Sequence, residues 1–193
     1  VTTWVDNLDQ SNSNFEHHLY EAIGIFESHE VVNRSLLERL LKAKDYRARA
    51  YATRVAGRWH DRLESPLELL DRSVTDSSAR VRLEAIVACS DIRSADSMVV
   101  AAQAANRTTD RFTNFALTQT VHALAPRWRP ALNQGRLNFE NPAGLIYVLR
   151  AYGGKDVTSQ VRGLIKSEEI SAAGRRELLR LLARVGTAND LHT

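Results

Sequence analysis

The chain has 193 residues, with 26 basic against 23 acidic side chains, a net charge of +3 and 44% hydrophobic residues. That is an ordinary globular composition, and so even a charge balance does not by itself argue for nucleic acid. No run of about 18 apolar residues exists to cross a membrane, and the lone Cys89 excludes an internal disulfide.

In chain order, residues 1–9 read as the tail of a helix, and helices are predicted near 14–28, 33–43 and 46–61. Asn33 is placed to cap the second of these, whose apolar stripe is Leu36, Leu37, Leu40 and Leu41. Ser65-Pro66-Leu67-Glu68 predicts a capped start for a helix over 66–75, with proline at its first position. Further helices are predicted at 78–91, 95–106, 110–124 and 127–133. Cys89 lies in the apolar stretch that starts at Ala85, and packs as a small buried hydrophobe. Asn141-Pro142 opens a helix over 142–152 that Gly153-Gly154 closes, and helices at 156–166 and 171–185 follow, the last ended by Gly186. No strand-like alternation bounded by turn dipeptides occurs, so the predicted class is all-α.

Ala22, Ala52, Ala85 and Ala116 each lie in an apolar helical stretch, at a nearly constant spacing along the chain. A small residue at a fixed position lets packed helices approach closely. Asp76, then Val81-Arg82, then Ala85 resembles the junction of a HEAT repeat, and Ala48-Arg49 aligns with Val81-Arg82. A two-helix repeat cannot bury its apolar face alone, so recurrence predicts a stacked α-solenoid of about five helical hairpins over 1–193. Leu36, Leu40, Leu83, Ile86, Leu117 and Val121 are its predicted core, and Arg49, Asp76, Arg82 and Asp110 its predicted junction residues. The stretch 126–141, with two prolines and a glycine, departs most from the period.

Chemistry-bearing constellations are few. Glu16-His17-His18 with Glu21 is the only local cluster resembling a metal site. His17, His18 and Glu21 sit about one turn apart, but zinc needs three or four ligands and an oriented second shell. The alternative is that Glu16 serves the positive end of its helix while the histidines face solvent or a neighbour. Trp4, Trp59 and Trp128 with Tyr46, Tyr51, Tyr147 and Tyr152 suggest a groove floored by aromatics, as in DNA glycosylases built on HEAT-like repeats. Packing at helix ends explains them as well. No Ser/His/Asp set, phosphate-binding loop or Cys-x-x-Cys is present, so no catalytic residue is assigned.

Trp4-Val5-Asp6-Asn7-Leu8-Asp9, followed by Phe15-Glu16-His17-His18-Leu19-Tyr20-Glu21-Ala22, resembles the opening of the helical region in one family. These are the multidomain heme-binding CxxCH proteins of the planctomycete–verrucomicrobial group, labelled membrane-bound or sorbosone-type dehydrogenases. Ala48-Arg49-Ala50, Arg58-Trp59, Asp110-Arg111-Phe112 and Leu124-Ala125-Pro126-Arg127-Trp128 continue the likeness in order. Gly24-Ile25 departs from it, where the family has Leu-Trp. The resemblance implies a non-catalytic helical spacer between a dehydrogenase-like β-propeller and a cytochrome c domain, cut from a longer, exported protein. It implies flanking domains of the same parent, or another protein, as partners, and heme only in a domain outside this chain.

Overall fold

The computed structural model describes residues 1–108 and 110–186. Among them are twelve α-helices, three short 3-10 turns and no strand. Two compact units are evident, Val1–Ile92 and a second from Arg93 onward. Each is described by itself.

The first unit contains α1 (Thr2–Asp6), α2 (Phe15–Ser28), α3 (Arg34–Leu40), α4 (Tyr46–Arg58), α5 (Pro66–Asp71) and α6 (Ala79–Asp91). At its centre is α4, which touches α2, α3, α5 and α6. A helix packed against four others needs small residues on its inward side, and Ala48, Ala50, Ala52, Thr53, Val55, Ala56 and Gly57 are all buried. A close approach occurs at Gly57, where an added Cβ would lie 2.7 Å from the Ala88 Cβ of α6. Around α4 pack Leu19, Ala22 and Ile23 of α2, Leu36, Leu37 and Leu40 of α3, and Ala85, Ile86 and Cys89 of α6. Burial pushes the Cys89 thiol up to about 12, so it stays protonated and inert.

The second unit contains α7 (Asp96–Ala102), α8 (Arg111–Ala123), α9 (Ala125–Asn133), α10 (Pro142–Tyr152), α11 (Thr158–Lys166) and α12 (Ala172–Val185). Its centre is α10, which touches α7, α8 and α12. Gly144 there lies against Ala102, whose carbonyl oxygen would be 3.2 Å from an added Cβ. Trp128 of α9 is buried and donates its indole N–H to the Val121 carbonyl at 2.9 Å, pinning α9 to the end of α8. The helix expected over 127–133 starts two residues earlier, at Ala125, because Pro126 suits a first turn.

Side-chain caps mark five of the twelve helix starts. The side chains of Asn33, Asp45, Asn141 and Ser171 each accept an N–H of the following turn. Asp110 and Thr113 form a reciprocal capping box. Gly153 ends α10 in the left-handed conformation, at φ +63°.

Three expectations differ. Ser65 does not cap α5: it sits at φ +50°, and only its carbonyl engages the first turn, accepting from Glu68 N–H at 3.1 Å. Pro66 disfavours the right-handed helical conformation at residue 65, and the sharp entry into α5 takes up the left-handed one instead. With no side-chain bond to lose, Ser65→Gly is expected to raise the midpoint of thermal unfolding, through a gain of up to about 1 kcal/mol as left-handed strain is relieved. Ala116 is only half-buried, since the buried stripe of α8 is Thr113, Leu117, Thr120 and Val121. Leu83 is likewise half-buried, whereas Leu36, Leu40, Ile86, Leu117 and Val121 lie in the core.

Candidate functional site

The predicted junction residues occupy a recurrent arrangement at the helix entries. Asp45, Asp76 and Asp110 each accept from the backbone N–H two positions on: Arg47, Ser78 and Phe112, all at 2.8 Å. Arg49 donates from Nη1 to the Ala43 and Lys44 carbonyls at 2.9 and 2.8 Å. Arg82 donates from Nη1 to the Asp76 and Ser77 carbonyls at 2.8 and 3.0 Å. Both arginines thus reach back by the same five and six positions, each to the loop before its own helix.

The carboxylate of Asp76 belongs to Arg49 and not to its sequence neighbour Arg82. Nε and Nη2 of Arg49 donate to its two oxygens at 2.7 and 2.9 Å, a forked pair with 16% and 13% side-chain exposure. Burial raises the Asp76 carboxyl, but the Arg49 hydrogen bonds and the Ser78 N–H outweigh it and hold it below its ordinary value. The same hydrogen bonds raise the Arg49 guanidinium. A carboxylate held ionised and occupied on both oxygens is a strut, and no general acid or base results.

Glu16 stands as far before Arg49 as Arg82 stands after it. Its two oxygens accept from Lys44 N–H at 2.7 Å and Asp45 N–H at 2.9 Å, so it serves the entry to α4 and not the start of its own helix. The sequence places Glu16 at the dipole of α2, and a long carboxylate side chain reaching a neighbouring pair of unpaired amides overrides that placement.

The metal candidates diverge. Nε2 of His17 lies 3.2 Å from Glu21 Oε1, with both side chains more than half exposed, whereas His18 packs edge-on against Trp4 at 5.7 Å. Among the described residues no three His, Cys, Asp or Glu side chains converge as a metal site. Of the seven aromatics expected in a groove, Tyr46 and Tyr51 line a cleft in the first unit, whereas Trp59 and Trp128 do not. Trp59 and Trp128 are 1% and 0% exposed, and Tyr147 is buried with its hydroxyl on Asn114 and Thr118. Arg129 sits over Tyr152, not over Trp128, and also bonds the Tyr152 hydroxyl and Asp156.

A cleft of about 1380 Å³ nevertheless opens in the first unit. One wall is the loop Gln10–Asn14 with the first turns of α2, the other is the outer face of α4 with Arg80 and Glu84 of α6. Tyr20 and Tyr51 meet at 4.7 Å between ring centres, and His17 stacks on Tyr20 at 6.2 Å, giving one aromatic rail. At its end the Tyr51 hydroxyl donates to Glu27 Oε2 and Arg58 donates to Glu27 Oε1, both at 2.5 Å. Burial, then the Glu27 bond, pushes the Tyr51 phenol up to about 12, so it remains a neutral donor. Gly24 makes room for it: a Cβ there would lie 3.4 Å from the Tyr51 hydroxyl. This network has no local sequence signal, since Tyr51 and Arg58 stand 24 and 31 positions from Glu27 along the chain.

Four cations rim the cleft, Lys44, Arg47, Arg54 and Arg80, with three carboxylates, Glu16, Asp45 and Glu84. Each carboxylate is engaged, Glu16 by the two amides above, Asp45 by Arg47 at 2.8 Å and Glu84 by Arg80 at 2.9 Å. No protein-family model and no curated protein sequence matches this chain.

Proposed function

We propose that this chain is a non-catalytic scaffold, an α-solenoid of HEAT-like helical hairpins. It holds other protein domains at a fixed separation and presents a cleft to a protein partner. The observation that carries this reading is one arginine gesture made twice: Arg49 onto the Ala43 and Lys44 carbonyls, and Arg82 onto the Asp76 and Ser77 carbonyls. Repeated residues in repeated roles are what a stacked array needs, because each hairpin closes its core only against the next.

Its setting, on the likeness of Trp4–Asp9 and Phe15–Ala22, is a multidomain redox protein of the planctomycete–verrucomicrobial heme-binding type, exported from the cytoplasm. There the helical region spaces a dehydrogenase-like propeller from a cytochrome c domain. Covalent heme attachment through Cys-x-x-Cys-His needs two cysteines, and this chain has one, buried in the α6 packing. Among the described residues no helix is long and apolar enough to cross a membrane. The redox chemistry lies with the flanking domains, and this segment contributes distance and orientation.

The reading frame that encodes the chain is expected to specify a propeller upstream and a Cys-x-x-Cys-His segment downstream. In that parent, replacing this segment by a flexible linker should leave substrate oxidation at the propeller intact and slow reduction of the heme. A frame lacking both domains, or heme reduction indifferent to the linker, overturns the assignment.

A further inference from the structure

We infer that the cleft of the first unit binds an extended, acidic peptide segment that carries aromatic side chains. The inference rests on the scaffold reading for its purpose, while its geometry belongs to one unit alone.

Size comes first. About 1380 Å³ exceeds the range of roughly 300–1,000 Å³ usual for small-molecule sites, and suits a length of chain. The charge pattern then selects the chemistry. Arg54 is exposed on the α4 wall and has no carboxylate partner among the described residues. Arg47 and Arg80 are 75% and 60% exposed, and each spends only part of its fork of donors on Asp45 or Glu84. An arriving carboxylate therefore finds one free guanidinium and two more that have donors to spare. A nucleic acid fits less well, because a phosphate on every nucleotide asks for a denser row of cations than four set among three carboxylates, whereas an acidic residue at alternate positions asks for less.

The rail formed by His17, Tyr20 and Tyr51 offers ring faces and edges to an aromatic side chain. Ala48 and Ala50 also line the cleft and are small enough for a peptide backbone to come close. An extended peptide points successive side chains to opposite sides, so alternating acidic and aromatic residues would meet rim and rail in turn.

The test is fluorescence anisotropy on the intact chain with three fluorescein-labelled probes: a decapeptide of alternating glutamate and tyrosine, its lysine–tyrosine counterpart, and an oligothymidylate. The glutamate peptide should bind and weaken as salt rises. Arg54→Glu should weaken it by about ten-fold, as expected for reversing a charge that faces a carboxylate. Arg72→Glu, exposed in the same unit but outside the cleft, should leave it unchanged. Equal binding of the lysine peptide, tighter binding of the oligonucleotide, no binding of the glutamate peptide, or indifference to Arg54→Glu would overturn the inference. None of these results bears on the spacing role, which the heme-reduction experiment tests separately.

Discussion

Replacing Asp76 by alanine is expected to lower the unfolding free energy by about 2–4 kcal/mol, among the largest effects of any single polar substitution in the chain. Two costs combine. The Arg49 guanidinium, 16% exposed, loses both hydrogen bonds to this carboxylate and keeps the Ala43 and Lys44 carbonyls. The entry to α6 also loses an acceptor, since Asp76 Oδ1 takes the Ser78 N–H at 2.8 Å. Denaturant unfolding measures the loss. Arg49→Ala should cost a similar amount, and the double variant should cost clearly less than the two single losses added, because both remove one shared interaction.

The same pair predicts a pH dependence. The Asp76 carboxyl titrates below its ordinary value of 3.8 in the folded protein, so the native state binds its proton less readily than the unfolded chain does. Its contribution is therefore fully present above about pH 4 and is lost as the pH falls through the depressed folded value. Asp76→Asn should lower stability at neutral pH and flatten the acid limb of the stability curve. Asp45 titrates low for a related reason, its Arg47 bonds, but it lies at the surface where solvent screens the effect.

Gly57→Leu is expected to be more damaging still, abolishing the cooperative unfolding transition or reducing its midpoint by roughly 10 °C or more. A Cβ alone would stand 2.7 Å from the Ala88 methyl carbon and 3.0 Å from the Ala88 Cα, so a rigid helix backbone must move before any further atom is added. Even Gly57→Ala should destabilise, by about 1–3 kcal/mol. On an exposed helix the same change would stabilise by roughly 1 kcal/mol. Gly163 of α11 supplies that comparison, because an added Cβ there meets nothing within 4 Å. Gly57→Ala and Gly163→Ala should accordingly shift the melting temperature in opposite directions.

These two sites mark where the sequence can and cannot be read. Helix positions are legible because their signals are local: Asn33, Asp110 and Asn141 cap the turns they precede, and Gly153 adopts the left-handed stop. Ser65 carries the same kind of signal and fails, because entry into α5 demands a left-handed backbone at that position and its hydroxyl makes no bond to the turn. Three of the recurrent alanines, Ala22, Ala52 and Ala85, are buried as their spacing suggests, yet the close approach of α4 to α6 at Gly57 and Ala88 lies about a turn further along. Which residues face each other across two helices depends on their relative slide, and a single chain's periodicity does not encode that.

Arg49 and Asp76 stand out as junction residues by type and position, but their partnership spans 27 positions and only folding displays it. The cleft is still less legible. Its rail and rim come from three helices and a loop; Glu16, His17 and Tyr51 stand out in the sequence for other reasons, and the prominent Trp59 and Trp128 prove to be core.

The most direct trial of the account removes residues 46–78 in frame. This deletes one full period, sets Arg82 in the place of Arg49 relative to Asp45, and gives it the Ala43 and Lys44 carbonyls at the spacing that Asp76 and Ser77 now hold. If hairpins of this chain are interchangeable units, circular dichroism should show a helical protein that still unfolds in one cooperative step. Removing residues 46–62, about half a period, should leave no such step. Collapse of both deletions alike would contradict the account.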